Sequence, residues 1–231
     1  MTERILITGA SRGIGRAIAV RLAGPNTHLI LHGRDQKALD QTAALAREKG
    51  AHTETVICDL ADSIAVQKMA QTLAAQPIKV LINNAGIAVV KPLTEHSLEE
   101  WQRTLAISVT APFLLTKHLA PVIPRGGSIV NILSIAAKVG FVDWSSYCMS
   151  KAALDGFAKA VREELRPKGI RVINIYPAST DTEIWDKVPG EWPRDRMMRP
   201  ESTADAVAMA LAQPSDILVD DISLGPIGGT L

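Results

Sequence analysis

Short apolar runs alternate along the chain with longer segments in which apolar positions recur at helical spacing. The runs are RILIT (4–8), HLILH (28–32), TVIC (55–58), KVLIN (79–83), SIVNIL (128–133), RVINI (171–175) and DILV (216–219). Strands that are apolar throughout suit a parallel sheet covered by helices on both faces. The alternation therefore predicts an α/β fold, a doubly wound parallel sheet forming one domain over residues 1–231.

Helical spacing predicts helices near 13–23, 36–49, 62–75, 98–120, 146–166 and 202–212. The fourth begins at a capping box, SLEE, in which Ser97 serves N-terminal amides and Glu100 reaches back to the cap. Pro112 should kink or interrupt this helix, because proline cannot donate a backbone hydrogen bond. Residues 187–202 are rich in proline and lack a steady period, so we expect a substrate flap near 182–202.

Composition is that of an ordinary globular protein, with 25 Lys and Arg against 24 Asp and Glu. No basic block or acidic tail is present, so we expect neither a nucleic-acid partner nor a membrane surface. Cys58 and Cys148 lack a CxxC or Cys/His pattern, which favours buried reduced thiols over a metal site. Without a signal peptide or an apolar run of ~18–20 residues, the chain should be cytoplasmic.

Three glycines, Gly9, Gly13 and Gly15, lie between the first strand and the first helix in LITGASRGIGRAIAVRLAG. Gly9 permits a tight turn, Gly13 lets the backbone approach a ligand, and Gly15 lets the helix pack closely on the sheet. The N-terminus of that helix presents free N–H groups to an anion, which suits a pyrophosphate. The alternative is a merely flexible strand-to-helix turn.

The stretch SSYCMSK sets Tyr147 and Lys151 one helical turn apart on the same face. A half-buried tyrosine beside a snorkelling lysine is the ordinary interpretation. The functional one is a proton donor: a phenol of pKa about 10 is a weak acid near neutrality, and a nearby ammonium favours the phenolate. Ser134, thirteen residues earlier at the end of a strand, is either a turn former or a hydrogen-bond donor to the reacting oxygen.

Together the motifs TGxxxGxG, NNAG (83–86) and YxxSK (147–151), in this order, resemble the short-chain dehydrogenase/reductase family. The resemblance implies a Rossmann domain with strand order 3-2-1-4-5-6-7. It also implies hydride transfer between a nicotinamide dinucleotide and a small-molecule carbonyl or alcohol. A further expectation from the family is a homodimer or homotetramer, joined through the helices near 98–120 and 146–166.

The resemblance assigns Tyr147 as proton donor or acceptor, Lys151 as the group that lowers its pKa, and Ser134 as the group that polarises the substrate oxygen. Counting from Trp101 puts Ser108 where the family has an asparagine that holds a water of the proton relay. Ser108 either sustains a weakened relay, or Asn131 or another group compensates, or reduction is slow.

Cofactor contacts implied by the resemblance involve residues from the whole chain. They are Gly9, Ser11, Arg12, Gly13, Ile14, Gly15, Arg34, Asp59, Leu60, Asn83, Ala85, Gly86, Tyr147, Lys151, Pro177 and Thr182. Asp59 would meet the adenine amine, whereas Pro177 and Thr182 would contact the carboxamide. Asn83, Ala85 and Gly86 would steady the central strand and line the adenine ribose, with a structural asparagine turn as the alternative for Asn83.

NADP(H) is the expected dinucleotide. Gly33 stands where an NAD enzyme carries an acidic residue, and Arg34 and Arg12 supply guanidinium groups that suit a 2′-phosphate. The alternative is that both arginines are solvated surface charges, and Asp35 counts mildly against the assignment.

The substrate remains open to several interpretations. Trp185, Trp192, Met197 and Met198, with Phe141 and Trp144 opposite, would form apolar walls for a carbonyl compound, although such a cluster is more often ordinary packing. A redox sensor of the same fold that binds the dinucleotide without catalysis is the alternative function. An epimerase or dehydratase would need a larger substrate domain.

Overall fold

Seven parallel strands form one sheet in the computed structural model, which describes residues 2–229. The strands are β1 (Glu3–Thr8), β2 (Thr27–Gly33), β3 (His52–Ile57), β4 (Val80–Asn83), β5 (Ser128–Ile132), β6 (Arg171–Pro177) and β7 (Asp221–Leu224). The helices are α1 (Gly13–Leu22), α2 (Gln36–Glu48), α3 (Ser63–Leu73), α4 (Leu98–Leu105), α5 (Ala111–Leu119), α6 (Ser145–Leu165) and α7 (Pro200–Leu211). The sheet order, β3-β2-β1-β4-β5-β6-β7, confirms the expectation.

Both faces of the sheet are covered, because side chains alternate between two cores. Leu6 of β1 packs with residues of α3, α5 and α6 on one face. Ile5 and Ile7 pack with residues of α1, α2 and α7 on the other. The doubly wound α/β prediction is confirmed, and its physical cause is the burial of both faces of the central strands.

Edge strands are where the sequence pattern misled. The prediction of a seventh strand at 216–219 is wrong: β7 is Asp221–Leu224, in register with Asn174–Pro177 of β6. The apolar residues Leu218 and Val219 pack on the core without pairing. An edge strand alternates between buried and exposed positions, so it lacks the continuous apolar run that marks a central strand.

A π-helical segment, Ala106–Thr110, joins α4 to α5. The Ala111 N–H bonds to the carbonyl of Ala106, five residues earlier, just before Pro112 removes a donor from the ladder. The predicted interruption is therefore confirmed. So is the capping box, since the Glu100 N–H donates to Ser97 Oγ (3.1 Å) and the Ser97 N–H donates to Glu100 Oε2 (2.9 Å).

The combined helix Leu98–Val122 is, by length and composition alone, apolar enough to cross a membrane. Half of its most apolar window is buried inside the fold, and core helices of globular proteins often have this composition. The prediction that no apolar stretch approaches the length of a span was therefore too strong. The packing of α5 against α3 and β4 gives this helix a place in the core.

Candidate active site

Two adjoining depressions lie at the carboxyl ends of the central strands, where ligands bind in open α/β sheets. The triad cavity, of about 360 Å³, is lined by Ser134, Tyr147 and Lys151 among others. The glycine groove, of about 250 Å³, is lined by the residues of the β1–α1 turn and the ends of β2 and β4. Five residues line both: Ile14, Asn84, Gly86, Thr182 and Ile184. The two depressions therefore form a continuous site.

The first turns of α6 hold two of the three predicted catalytic side chains. Tyr147 and Lys151 are one turn apart, and Lys151 Nζ lies 5.6 Å from the centre of the Tyr147 ring. Lys151 is buried and its Nζ donates to the Ile132 carbonyl at the end of β5 (2.9 Å). Ser134, in extended conformation after β5, accepts the Ala136 N–H at its Oγ (3.1 Å). The sequence spacing and the strand ends thus bring the three side chains to one wall.

Burial dominates the electrostatics of this wall. It raises the pKa of the Tyr147 hydroxyl, while hydrogen bonding with Ser134 acts in the opposite, lowering direction. It also lowers the pKa of the Lys151 ammonium to about 8. The predicted net lowering of the Tyr147 pKa is wrong for these side chains by themselves, because removing the phenolate from water outweighs the groups that stabilise it.

Ser108 lies in the π-helical segment and is buried, and no protein group in residues 2–229 hydrogen-bonds its Oγ. A methyl group at Gly86 would stand 3.5 Å from Lys151 Nζ and 3.7 Å from Ser108 Oγ. Ser108 therefore lies on the same side of the shared wall as the lysine. Asn131 cannot substitute for it, because its amide bonds to Asn83 (3.0 Å) and Asn174 (3.1 Å) in neighbouring strands.

Glycine is required three times in the β1–α1 turn, and at Gly13 the reason is a φ of +52°, in the left-handed region. At Gly15, a Cβ atom would lie 2.2 Å from the Gly9 carbonyl oxygen, which confirms that α1 packs too closely for a side chain. Gly9 has a φ of +66°, in the left-handed region, as the predicted tight turn demands. The helix begins at Gly13. Its N-cap residue is Arg12, whose side chain has only donors, so no side chain at the cap position accepts a hydrogen bond from the first amides.

Most of the predicted cofactor contacts line the site. Those in the glycine groove are Gly9, Ser11, Arg12, Gly13, Ile14, Gly15, Arg34, Asp59, Leu60, Ala85, Gly86 and Thr182. Tyr147, Lys151 and Pro177 line the triad cavity. Asn83 is the exception and requires a correction: it is buried in β4, its amide bonds to Asn131, and it lines neither depression. Successive residues along an extended chain point to opposite sides, and Asn84 lines both depressions instead.

Thr8 and Asn84 were missed by the sequence interpretation. The Thr8 hydroxyl donates to the Ile82 carbonyl (3.2 Å) and accepts the N–H groups of Asn84 (3.0 Å) and Ala85 (3.1 Å). The Asn84 amide donates to the Thr8 carbonyl (2.8 Å). These bonds fix the ends of β1 and β4 to each other. Both residues belong to the quoted motifs, as the threonine of TGxxxGxG and the second asparagine of NNAG, so the signal was present.

Charge at the end of β2 is positive. Arg12 and Arg34 are exposed, and neither side chain has a hydrogen bond or ion pair within residues 2–229. Asp35 does not face them as an acceptor, because its carboxylate caps α2 at the Ala38 N–H (3.1 Å). Asp59 accepts the Ala61 N–H (3.0 Å), which with Arg103 lowers its pKa. Nearby, burial lowers the pKa of His32 to about 4, leaving it uncharged at neutral pH.

The outer wall of the triad cavity comes from residues 178–198. Trp185 and Trp192 line the cavity from this segment, facing Phe141 and Trp144, as predicted. Met197 and Met198 do not line it, and this part of the prediction is wrong. Met197 is buried, whereas the Met198 backbone pairs with Ser179 and Asp181 in a short bridge that directs its side chain elsewhere.

Arg194 anchors the segment. Its guanidinium bonds to Asp181 (2.5 Å), Asp186 (3.2 Å) and the Thr182 carbonyl (3.0 Å). The irregular stretch ends at Pro200, where α7 begins, two residues before the predicted helix start.

Cys148, expected to be buried, is half-buried, while Cys58 is buried; both are free thiols.

Comparison with known proteins places this architecture in a family. The family described as short chain dehydrogenase matches residues 3–191. The chain is 33% identical to sepiapterin reductase of Chlorobaculum tepidum, over 100% of this chain and 99% of that protein. It is 34% identical to D-threitol dehydrogenase of Mycolicibacterium smegmatis, over 97% and 91% of the two chains.

A solved structure shows the same fold. It is a short-chain dehydrogenase from Burkholderia cenocepacia in complex with NADP, 29% identical, with a TM-score of 0.88. The alignment covers 97% of this chain and 96% of that one. With its sheet order, its glycine turn and its Ser134, Tyr147 and Lys151 wall, the chain belongs to the short-chain dehydrogenase family of oxidoreductase enzymes.

Proposed function

We propose that the protein is an NADP(H)-dependent oxidoreductase that transfers hydride between the nicotinamide and a carbonyl or secondary alcohol. The observation that carries the proposal is the presence of Ser134, Tyr147 and Lys151 on one cavity that shares walls with the glycine groove. The groove fits a dinucleotide: glycine leaves room beside the backbone at Gly86, and the N-terminus of α1 has no side-chain cap.

In this reaction the bound nicotinamide supplies or accepts the hydride. Tyr147 donates its hydroxyl proton to the substrate oxygen, and Ser134 donates a hydrogen bond to the same oxygen. Lys151, whose pKa is about 8, is mostly charged at neutral pH and stabilises the phenolate as the proton leaves. Ser108, with an unpartnered buried hydroxyl near Gly86, completes a path for returning the proton through water.

The charges at the end of β2 support the proposed preference for NADP(H) over NAD(H). Within residues 2–229, Arg12 and Arg34 have no hydrogen bond or ion pair on the glycine groove, and the carboxylate that directly follows Arg34, Asp35, is held by the α2 cap. Asp59 and Glu183 line the same groove, and Asp59 is held by the Ala61 N–H and Arg103. A guanidinium fork binds a phosphate through paired N–H donors. The relative from Burkholderia cenocepacia was solved with NADP, which supports the same choice.

We also propose one domain with a flap near 182–202, working as a cytoplasmic homodimer or homotetramer. Exposed apolar side chains on the helices of one face support assembly, with Leu98 70% and Phe113 42% exposed. Size-exclusion chromatography with light scattering tests this, and a monomer at working concentrations would contradict it.

The decisive experiment measures oxidation of NADPH, and of NADH in parallel, against a panel of ketones, aldehydes and 3-oxoacyl thioesters. Tyr147→Phe should lower kcat by about 10²–10⁴-fold and change the Kd for NADPH much less, because the ring is kept and only the hydroxyl, the proton donor, is lost. Full turnover by the Tyr147→Phe protein would exclude the mechanism.

A redox sensor that binds the dinucleotide without catalysis is the second candidate. The raised pKa of Tyr147 and the serine at position 108 favour it. It predicts tight NADPH binding with no turnover of any carbonyl in the panel.

A further inference from the structure

Aromatic residues are scarce in this chain and concentrated at one place. The sequence contains three Phe, two Tyr and four Trp, 4% of all residues. Five of these nine line the triad cavity: Phe141, Trp144, Tyr147, Trp185 and Trp192. A general requirement for core packing would distribute such residues through the two cores, which instead consist mainly of aliphatic side chains.

The rings form a continuous wall contributed by two separate segments. The ring centres of Tyr147 and Trp144 are 5.3 Å apart, those of Trp144 and Trp185 5.7 Å, and those of Trp185 and Trp192 4.8 Å. None of the four is buried as a core residue is; each keeps part of its surface accessible. We call Trp144, Trp185 and Trp192 the tryptophan wall.

Two indoles of the wall are already satisfied as hydrogen-bond donors. Trp185 Nε1 donates to the Thr180 carbonyl (2.9 Å) and Trp192 Nε1 to the Pro189 carbonyl (3.2 Å), both within the 178–198 segment. These bonds orient the rings and leave the indole faces as the surface offered to a ligand. Contact with such faces is favourable for flat, unsaturated groups.

Charge in the cavity is limited to the catalytic end. Lys151 is the one charged side chain among the residues described as lining it, and its Nζ already donates to the Ile132 carbonyl. The other lining side chains are apolar, aromatic, amide or hydroxyl groups. A carboxylate or phosphate on the distal part of a substrate would therefore be desolvated without a partner.

We propose, building on the function proposed above, that the preferred substrates are planar, uncharged carbonyl compounds carrying a fused aromatic ring system. The ring system lies against the tryptophan wall while the carbonyl oxygen meets Tyr147 and Ser134. The carbonyl carbon accepts a hydride from the reduced nicotinamide and the oxygen accepts the Tyr147 proton, which gives a secondary alcohol and the oxidised cofactor. The tryptophan wall is thus the determinant of specificity.

The test compares 2-acetonaphthone with its fully saturated decalin analogue, which has the same carbon skeleton and ketone but no aromatic face. Calorimetric titrations in the presence of NADP⁺ measure binding without turnover. The wild type should bind the naphthyl ketone more tightly. Trp185→Leu and Trp192→Leu should weaken that binding about three- to tenfold and change binding of the decalin ketone less than about twofold.

Controls separate a lost ring face from a damaged fold. Trp101→Leu removes a tryptophan outside the cavity and should leave both affinities unchanged. Trp185→Phe keeps an aromatic face and should retain most of the preference. Equal affinity of the wild type for both ketones, or equal weakening of both by the leucine variants, would overturn the proposal. Binding is measured without turnover, so the two proposals fail separately. Absence of catalysis would refute the proposed function, and the comparison of the two ketone affinities would still test the role of the tryptophan wall.

Discussion

The glycine groove and the tryptophan wall are built in different ways. The groove is made by backbone: the turn at Gly9, the close contact of Gly15 and the bonds that join Thr8 to Asn84. The wall is made by side chains: Trp144 at the start of α6, and Trp185 and Trp192 from an irregular segment held by Arg194. Backbone geometry leaves little freedom in sequence, whereas a wall of side chains can change without altering the sheet. The groove therefore carries the features shared with the family, and the wall is where we expect the substrate preference of this chain to be set.

The largest effect is expected in the glycine groove, at Gly15. Gly15→Ala places a Cβ 2.2 Å from the Gly9 carbonyl oxygen, so backbone must move, and we expect a loss of about 3 kcal/mol of unfolding free energy. NADPH binding should fall with it. Gly24→Ala is the matched control, since its Cβ would have no neighbour within 4 Å. Thermal unfolding and NADPH titration check both variants, and equal behaviour of the two would refute the packing argument.

Lys151, where the two regions meet, gives a prediction about pH. Burial lowers its folded pKa to about 8, whereas the unfolded value is about 10.4. Below pH ~8 both states are charged and folding bears the full cost of burial; between the two values the unfolded state binds more protons, so stability rises with pH. Lys151→Met should therefore raise the unfolding free energy by up to ~3 kcal/mol relative to wild type at pH 7. Above pH ~10 this advantage should disappear, because the wild-type lysine is then neutral in both states.

Denaturant unfolding of both proteins at pH 7 and pH 10 checks this difference. The hydrogen bond to the Ile132 carbonyl is donated by an ammonium at pH 7 and by a neutral amine at pH 10, so its loss makes the expected difference smaller than the full cost of burial. A stability difference independent of pH would show that the lysine is not desolvated in the folded protein.

Removing the positive charge of the groove should affect one cofactor and not the other. The double variant Arg12→Ala, Arg34→Ala should raise the Kd for NADPH about 10- to 100-fold and leave the Kd for NADH nearly unchanged, because only NADPH carries the 2′-phosphate. Arg47→Ala, an exposed arginine of α2 outside the groove, is the control. Equal loss of both cofactors would contradict the assignment of these arginines.

The smallest effect is expected at the anchor of the wall. Arg194→Ala removes bonds to Asp181, Asp186 and the Thr182 carbonyl, so it should raise KM for the carbonyl substrate several-fold, with a similar Kd for NADPH. Arg196→Ala, two residues away and exposed without an ion pair in the described chain, should have no effect. Steady-state kinetics distinguish them, and matching KM values would exclude an anchoring role.

What could be predicted from sequence follows the same division. Continuous apolar runs marked the central strands, and the glycines, with Tyr147 and Lys151 a turn apart, marked the groove and the cavity. The edge strand β7 was misplaced because its partner, not its own pattern, sets its register. Asn83 was assigned to the groove because a motif does not state which of two adjacent asparagines lines it. The pKa of Tyr147 depends on the burial of its hydroxyl, and the spacing of residues in the sequence does not predict burial.

The π-helical segment Ala106–Thr110 also constrains how the chain can vary in length. Regular α winding advances about 100° per residue, and the wider turn here contains one residue more than a regular turn. Deleting one of its residues would restore regular winding and keep α4 and α5 near their present orientation, whereas inserting a residue would rotate α4 about its axis relative to α5. An insertion would turn the capping box away from its present direction, so this stretch should tolerate the loss of one residue better than the gain of one.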